Sequence, residues 1–500
     1  MEVSHHLSWI DLSIIGVYLL GLLGVGYFVM RRVPSFEEYL LAGRTMTTPI
    51  LVCTLASTYY GLDVLFGTSE IGFNEGVVAF FGYSQLSLGI YILAAYLSKR
   101  LRNENFKSLP EILERYYGRG AGVLGALASI FYSIPALALF GLGRLCEVIF
   151  GLDARIGAAA LGGVALVYTL WGGLWAVAIT DTSQFVLMCI TLAIAIPLLM
   201  ANVGGFEAVA ASVPTSFFDL LGGIPIWLVI AYAATGISIL VDPGFYQRVF
   251  AAKDYRQARN AMLVSVGVWM AYDWLVTAGG MLAAAGVSSG ILPADIHPND
   301  ALLTAVMLAL PVGLAGIFLA GVLATSMSTI DGYTLVAGAN FVYDLYRPLR
   351  NPNLSDRDLV RLTKWGIVLS WVLGYALAFA FDRLIALWVF TASVLTSTVF
   401  VPIFAGLYWK GRKTPLAGLL SASVGLLSVI IFYAGISLLG TENETWGTYI
   451  WTFSIADVSF SVWQEYALFF TLPMSLFGFV VGNLLGKDRA PEVEAGGAEE

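Results

Sequence analysis

Ala56-Ser57-Thr58-Tyr59-Tyr60-Gly61-Leu62-Asp63 lies in the middle of a segment, 46–73, that is otherwise apolar enough to cross a bilayer. A continuous membrane helix has no use for a glycine beside hydroxyls and a carboxylate at mid-depth, so the stretch reads as a helix that breaks there. A second interruption, Thr235-Gly236-Ile237-Ser238 followed by Asp242-Pro243-Gly244, falls in the segment 224–249. Unwound backbone at the midplane frees carbonyls and half-helix ends for an ion or a solute, which irregular backbone facing lipid cannot do. The plainer alternative for each is a Gly or Pro kink accommodated by packing.

The surrounding chain belongs in lipid: 58% of its 500 residues are hydrophobic and 12% charged, and the mean hydropathy is +0.80. Apolar segments long enough to span are expected at 9–30, 46–73, 77–100, 122–150, 156–176, 178–202, 224–249, 259–288, 312–346, 359–381, 384–408, 415–438 and 463–485. The two interrupted segments are the second and the seventh. They lie an odd number of spans apart and run in opposite directions, as an inverted repeat of five helices requires when each copy starts on a discontinuous helix. The expected fold is an all-α polytopic membrane protein of about 13 transmembrane helices built on a five plus five repeat. Its parts are a leading helix and loop (1–45), the first repeat (46–202), the second (203–408), two additional helices (409–486) and a disordered acidic tail (487–500).

All but Arg144, Arg155 and Arg383 of the 26 basic residues follow the odd-numbered spans 1, 3, 7, 9, 11 and 13. By the positive-inside rule the amino terminus is outside, the carboxyl terminus is cytoplasmic, and the location is the plasma membrane. The first span follows an acidic Met-Glu and lacks a small-residue cleavage site, so it reads as a retained helix. Cys53, Cys146 and Cys189 all fall in spans and imply no disulfide framework, while His5, His6 and His297 are too scattered for a metal centre. The sequon Asn443-Glu444-Thr445 is too common a tripeptide to carry weight. No arrangement suited to nucleophilic or acid–base catalysis appears, which argues against an enzyme, and nothing points to nucleic acid or to an organic cofactor.

The ninth span carries Ala324-Thr325-Ser326-Met327-Ser328-Thr329-Ile330-Asp331. Neighbouring hydroxyls with a carbonyl one turn earlier offer several oxygens to a small hard cation. The same residues can instead bond back to their own helix or hold two helices together.

Four segments carry a resemblance. Glu37 to Arg44, Gly172 to Gln184, the set Pro243, Gln247-Arg248, Ala252-Lys253-Asp254 and Ala258-Arg259, and Ala324 to Thr329 resemble, in this order, motifs of the sodium:solute symporter family. The resemblance implies a leucine-transporter-type fold with spans 2 to 11 as its repeats. It also implies a sodium site joining the second and ninth spans, with the carbonyls of Ala56, Tyr59 and Thr325 and the hydroxyls of Ser328 and Thr329 as ligands. Asp181 occupies the position of an acid that some members use at a second, inner sodium site near Ser328 and Thr329. Asp331 has no role in that pattern.

Substrate residues are where the chain departs from the galactose carriers of the family. Asp63 stands where those carriers place a sugar-contacting polar residue, and Asp273 close to where they keep a base. With Asp11, Glu70, Asp242, Asp344 and Glu465 expected to reach water at span ends, the spans still hold Asp63, Glu147, Asp181, Asp273 and Asp331 against Arg144, which Glu147 neutralises. A buried carboxylate must be paired, protonated or supplied with a cation. Asp63 and Asp273 are therefore either protonated or meet a cationic solute, with Tyr59, Tyr60, Tyr83, Thr235, Trp269 and Trp274 as candidate walls. The reading is a sodium-coupled symporter that imports a small organic solute, cationic or amine-bearing, by alternating access; its expected partners are that solute, sodium and membrane lipid. The alternatives are a sensor working with a separate signalling partner and an uncoupled facilitator.

Overall fold

The computed structural model describes residues 7–30, 35–222, 226–380, 384–443, 448–455 and 458–487. Among them, ten helical runs are long and apolar enough to cross a membrane, eleven when the bent pair at 48–75 is taken as one span. Thirteen is reached only by counting the two legs of Ala154–Val203 separately and adding Asp356–Ala378. The latter begins with Asp356, Arg357, Asp358, Arg361 and Lys364, and so misses an apolarity threshold.

The expected spans 156–176 and 178–202 are joined without a loop in one run of 50 helical residues. Straight, that run would measure about 75 Å, more than twice the roughly 30 Å of a hydrocarbon core. Gly173 breaks it, at φ 55 and ψ −146. A Cβ there would sit 2.4 Å from the Tyr39 carbonyl oxygen, so both the backbone angle and the space demand glycine. The fourth span, expected as continuous over 122–150, also divides, into Arg119–Ser133 and Ala136–Phe150 around Ile134-Pro135.

The all-α expectation fails in one place. Between the helices Pro415–Leu439 and Ala467–Leu485, where only a loop was expected, β1 (Thr441–Asn443), β2 (Thr448–Ile455) and β3 (Val458–Trp463) form an antiparallel sheet in the order β1-β2-β3. The register pairs Trp451 with Val462 and Phe453 with Phe460, whereas Thr452–Ser461 and Ser454–Ser459 exchange hydroxyl bonds of 3.1 Å. This period-two alternation of aromatic and hydroxyl residues was legible in the sequence. Asn443 of the sequon lies in β1, whereas Glu444, Thr445, the tail from 488 and the side chains of Asp63 and Tyr83 lie outside the described residues.

At the centre of the molecule, the Leu314–Ala339 helix is buried at almost every position and packs against the helices Ala154–Val203, Trp9–Val29, Asp356–Ala378 and Thr48–Tyr59. Its start is fixed from another helix. Asp11 Oδ1 accepts the backbone N–H of Gly313 and of Gly316, both at 2.8 Å, while Oδ2 closes a capping box with Ser8. Asp11, expected at the water boundary, is thus 2% exposed, because a helix N-terminus supplies donors and a positive dipole end. Asp242, Asp344 and Glu465 are likewise buried rather than wetted. Arg144, as expected, reaches Glu147 at 2.7 Å, and it also pairs with Asp300 at 2.8 Å.

Three of the motif segments meet on one side of the molecule. Trp175 Nε1 donates to Glu38 at 2.9 Å, Arg44 pairs with Glu37 at 2.8 Å and reaches the Phe250 carbonyl, and Met46 exchanges backbone bonds with Ala251 and Lys253. Segments some 200 residues apart are thereby clamped by charged and backbone hydrogen bonds.

Asp11→Ala removes an acceptor from two buried N–H groups, and should destabilise the purified protein by about 1 to 2 kcal/mol. A lower thermal midpoint would register this. Asp11→Asn, which keeps one acceptor oxygen, should lose less, and equal midpoints for wild type and Asp11→Ala would show the cap to be idle.

Candidate functional site

The Thr48–Tyr59 helix stops where Tyr60 leaves helical geometry (φ −86, ψ 80), and Gly61 starts the next helix, Leu62–Glu75, from an extended conformation. The two pieces are bent by 59°. The Leu314–Ala339 helix answers this break with its hydroxyls. Ser328 Oγ lies 2.8 Å from the Ser57 carbonyl, 2.9 Å from that of Ala324 and 3.1 Å from that of Thr325. Thr329 Oγ1 lies 3.1 Å from the Thr58 carbonyl and 3.0 Å from that of Thr325. Each hydroxyl has one hydrogen to give, so oxygen lone pairs outnumber hydrogens at this junction. The Ala56 and Tyr59 carbonyls accept the Tyr60 and Gly61 N–H at 3.2 and 3.1 Å and keep their second lone pairs. Clustered neutral oxygens are the donor type that a small hard cation takes.

Beside the junction lies a cavity of about 150 Å³. Tyr59, Tyr60, Asp273 and Thr329 line it, joined by Tyr132, Tyr333, Tyr232 and Trp388. The Tyr60 hydroxyl donates to the Trp269 carbonyl at 3.0 Å and lies against the Asp273 carboxylate. Tyr132 and Tyr333 both donate to Asp242 Oδ2, at 3.0 and 2.8 Å. Asp242 Oδ1 accepts the Phe245 N–H at 2.8 Å and so caps the helix Pro243–Ala251 beyond the second interruption.

The profile of the sodium:solute symporter family matches residues 39–424. The chain belongs to the sodium:solute symporter family. It is therefore a membrane transporter that couples solute movement to sodium, and not an enzyme. The sodium/proline symporter of Staphylococcus aureus (strain JH9) is 26% identical over 463 residues, covering 88% of this chain and 89% of the relative; that of strain NCTC 8325 gives the same figures. A Na+-coupled sialic acid symporter in a substrate-bound outward-open state superposes with a TM-score of 0.79 at 15% identity, covering 96% of this chain and 99% of that one. Mhp1, a nucleobase-cation-symport-1 family transporter, superposes at 0.53 with 12% identity, covering 90% and 94%. At such identities these two structures speak to the fold alone.

In this symporter Ser328 and Thr329 meet the broken helix, although the carbonyls their hydroxyls touch across the junction are those of Ser57 and Thr58, and the Thr325 hydroxyl bonds the Val322 carbonyl of its own helix at 2.6 Å. Asp181 is fully buried and bonded to Thr54 and, at 3.4 Å, to Thr58, rather than to Ser328 or Thr329. Its link to those hydroxyls runs through Thr58. Trp274, expected at the solute wall, is 44% exposed and meets Phe80 edge to face away from the cavity. Thr235 spends its hydroxyl on the Ala231 carbonyl of its own helix at 3.1 Å. Trp269 contributes its carbonyl to Tyr60 and its ring to Tyr59 and Tyr91 behind the wall. Asp63 and Tyr83 keep only their places in the chain here, because their side chains lie outside the described residues.

Sequence reasoning missed the cation nearest Asp181. Arg248, assigned to a loop when basic residues were counted by side, is 1% exposed. Its guanidinium stands 3.9 Å from Asp181 and bonds Thr54 at 3.3 Å, Thr58 at 2.7 Å and Gln247 at 2.9 Å. Asp331 also acquires a partner, the Tyr168 hydroxyl at 2.6 Å. Oxygens of Ser57, Asp181, Gln184 and Asp331 remain buried without a hydrogen-bond partner.

Removing one member of a buried ion pair strands the other, at a typical cost of about 3 to 5 kcal/mol. Arg248→Met should therefore severely lower the thermal midpoint, and Asp181→Asn added to it should restore much of the loss. A double variant no more stable than Arg248→Met would mean that the guanidinium acts through Thr54 and Thr58 instead.

Proposed function

We propose that this protein imports a small amine-bearing solute together with sodium by alternating access. The observation carrying this reading is that the oxygen-rich junction and the aromatic cavity share residues. Tyr59 and Thr329 border both, so an ion that orders the junction also shapes the solute wall. Coupling of that kind needs no other device, since a first ligand that fixes the wall removes part of the ordering cost of the second.

The proposed sodium ligands are the carbonyls of Ala56, Tyr59 and Thr325 with the hydroxyls of Ser328 and Thr329. Asp181, reached through Thr58, is the proposed acid of a second sodium site. For the solute, Asp273 supplies a carboxylate among Tyr59, Tyr60, Tyr132, Tyr232, Tyr333 and Trp388, and the described lining contains no lysine or arginine. An acid with aromatic walls suits an ammonium through charge and cation–π attraction, and a zwitterionic amino acid brings one. The sodium/proline symporter among the relatives is named for such a solute. Asp63 is proposed as a second solute-facing acid from its place beside the break. The architecture we propose is the leucine-transporter type with thirteen spans and a five plus five repeat, the amino terminus outside. Each sodium entering with the membrane potential contributes about 2.3 kcal/mol per 100 mV, enough for more than tenfold accumulation of solute.

Ser328→Ala and Thr329→Ala each remove one ion-facing oxygen. Each should raise the sodium concentration needed for half-maximal thermal stabilisation by roughly tenfold, the scale of a charged hydrogen bond of about 1.5 kcal/mol. Amino acids, amines, sugars and carboxylates can be screened on the same protein with and without sodium. Stabilisation by an amine-bearing probe only when sodium is present is the expected result. An unchanged sodium midpoint in the double variant sinks the ion site, and a response confined to sugars or carboxylates sinks the solute class.

A further inference from the structure

Which hydrogen-bonding groups the cavity shows its solute depends on where its own hydroxyl hydrogens go. A tyrosine hydroxyl carries one hydrogen and two lone pairs. Tyr60 gives its hydrogen to the Trp269 carbonyl, which can only accept. Tyr132 and Tyr333, whose rings meet edge to face at 5.9 Å, both give theirs to Asp242 Oδ2. Asp242 is 1% exposed and holds its other oxygen on the Phe245 N–H. All three tyrosines line the cavity, so what they present to it is lone pairs, and Asp273 adds a carboxylate.

We propose that Asp242 is a positioning residue that fixes the polarity of the solute cavity. By drawing off the hydrogens of Tyr132 and Tyr333 it makes them acceptors, and the cavity then selects its solute through N–H donors. This rests on the amine-bearing reading above and sharpens it. An aromatic box alone binds a quaternary ammonium as readily as a primary one. Lone pairs with no donor to meet are a cost instead, because a solute without N–H leaves them dry and unpaired. Primary and secondary ammonium solutes are therefore taken, and their fully N-methylated counterparts refused.

The test uses paired probes on the purified full-length protein in sodium: L-proline with N,N-dimethyl-L-proline, glycine with glycine betaine, and ethanolamine with choline. At least one N–H-bearing member should stabilise the protein, with its methylated counterpart weaker by about tenfold or more. Asp242→Asn keeps its one acceptor oxygen for the Phe245 N–H and offers amide N–H where the Oδ2 shared by Tyr132 and Tyr333 stood, so neither tyrosine can give its hydrogen there and the cavity gains donors. The tenfold preference should then shrink to roughly threefold or less, while the sodium midpoint without solute stays within about twofold, a pattern that general loosening of the fold does not produce. Tyr132→Phe with Tyr333→Phe removes the same acceptors, leaves the Asp242 cap on Phe245 in place, and should narrow the preference equally, so a poorly folding Asp242→Asn does not end the test. Equal or tighter binding of the methylated members, no response to any N–H-bearing probe, or a preference unchanged in these variants overturns the proposal. A sodium-dependent response to a methylated probe alone leaves sodium coupling standing and removes donor selection. Responses indifferent to sodium remove the coupling reading itself.

Discussion

A polypeptide that interrupts a helix far from water must have its loosened backbone groups satisfied from next door, and the rest of this structure follows from how that is done at Tyr60 and Gly61. The neighbour is the Leu314–Ala339 helix, whose Ser328 and Thr329 reach the carbonyls of Ser57 and Thr58. Close approach is a condition of that contact, and small residues provide it. A Cβ on Gly316 would sit 2.6 Å from the Asp11 backbone, one on Gly321 2.5 Å from Thr191, one on Gly332 2.7 Å from Arg248, and one on Gly338 2.5 Å from Ile367. The helix is surrounded because it can be approached, a pattern familiar wherever small residues let membrane helices pack.

Charge is handled by the same economy of space. Among the described residues, Asp181, Asp242 and Asp331 are buried with a single guanidinium, that of Arg248, in their neighbourhood. Their side-chain hydrogen-bond donors are aromatic hydroxyls or threonines: Tyr132 and Tyr333 for Asp242, Tyr168 for Asp331, Thr54 and Thr58 for Asp181. Neutral donors soften the desolvation of a carboxylate without cancelling its charge.

The two interrupted helices are also connected to each other. Arg248 sits on Pro243–Ala251, beyond the second interruption, and bonds Thr54 and Thr58 on Thr48–Tyr59, before the first. Asp242 starts that same helix and holds two tyrosines of the cavity. One short helix thus touches the first break through Arg248 and the cavity wall through Asp242.

The sequence by itself determined that the chain lives in a membrane and that its second and seventh apolar segments break, and it marked the hydroxyls of Ser328 and Thr329 as candidate ion ligands. Hydropathy, Gly and Pro placement and hydroxyl spacing are local quantities, readable within one segment, and a meeting of the second and ninth spans was expected only because both resemble a known pattern, which named Ala56 and Tyr59 rather than Ser57 and Thr58. Tertiary structure alone decided the rest. Ser57 and Ser328 are 271 residues apart, Arg248 and Thr58 are 190, and Asp242 and Tyr132 are 110; no spacing along the chain encodes such meetings. The counting of basic residues sent Arg248 to a loop because that rule reads depth, and depth does not say which way a side chain points. Trp274 and Thr235 failed as solute contacts for the same reason: composition places a residue in a span, whereas the rotation of a helix against its neighbours decides whether it faces the cavity, lipid or its own backbone.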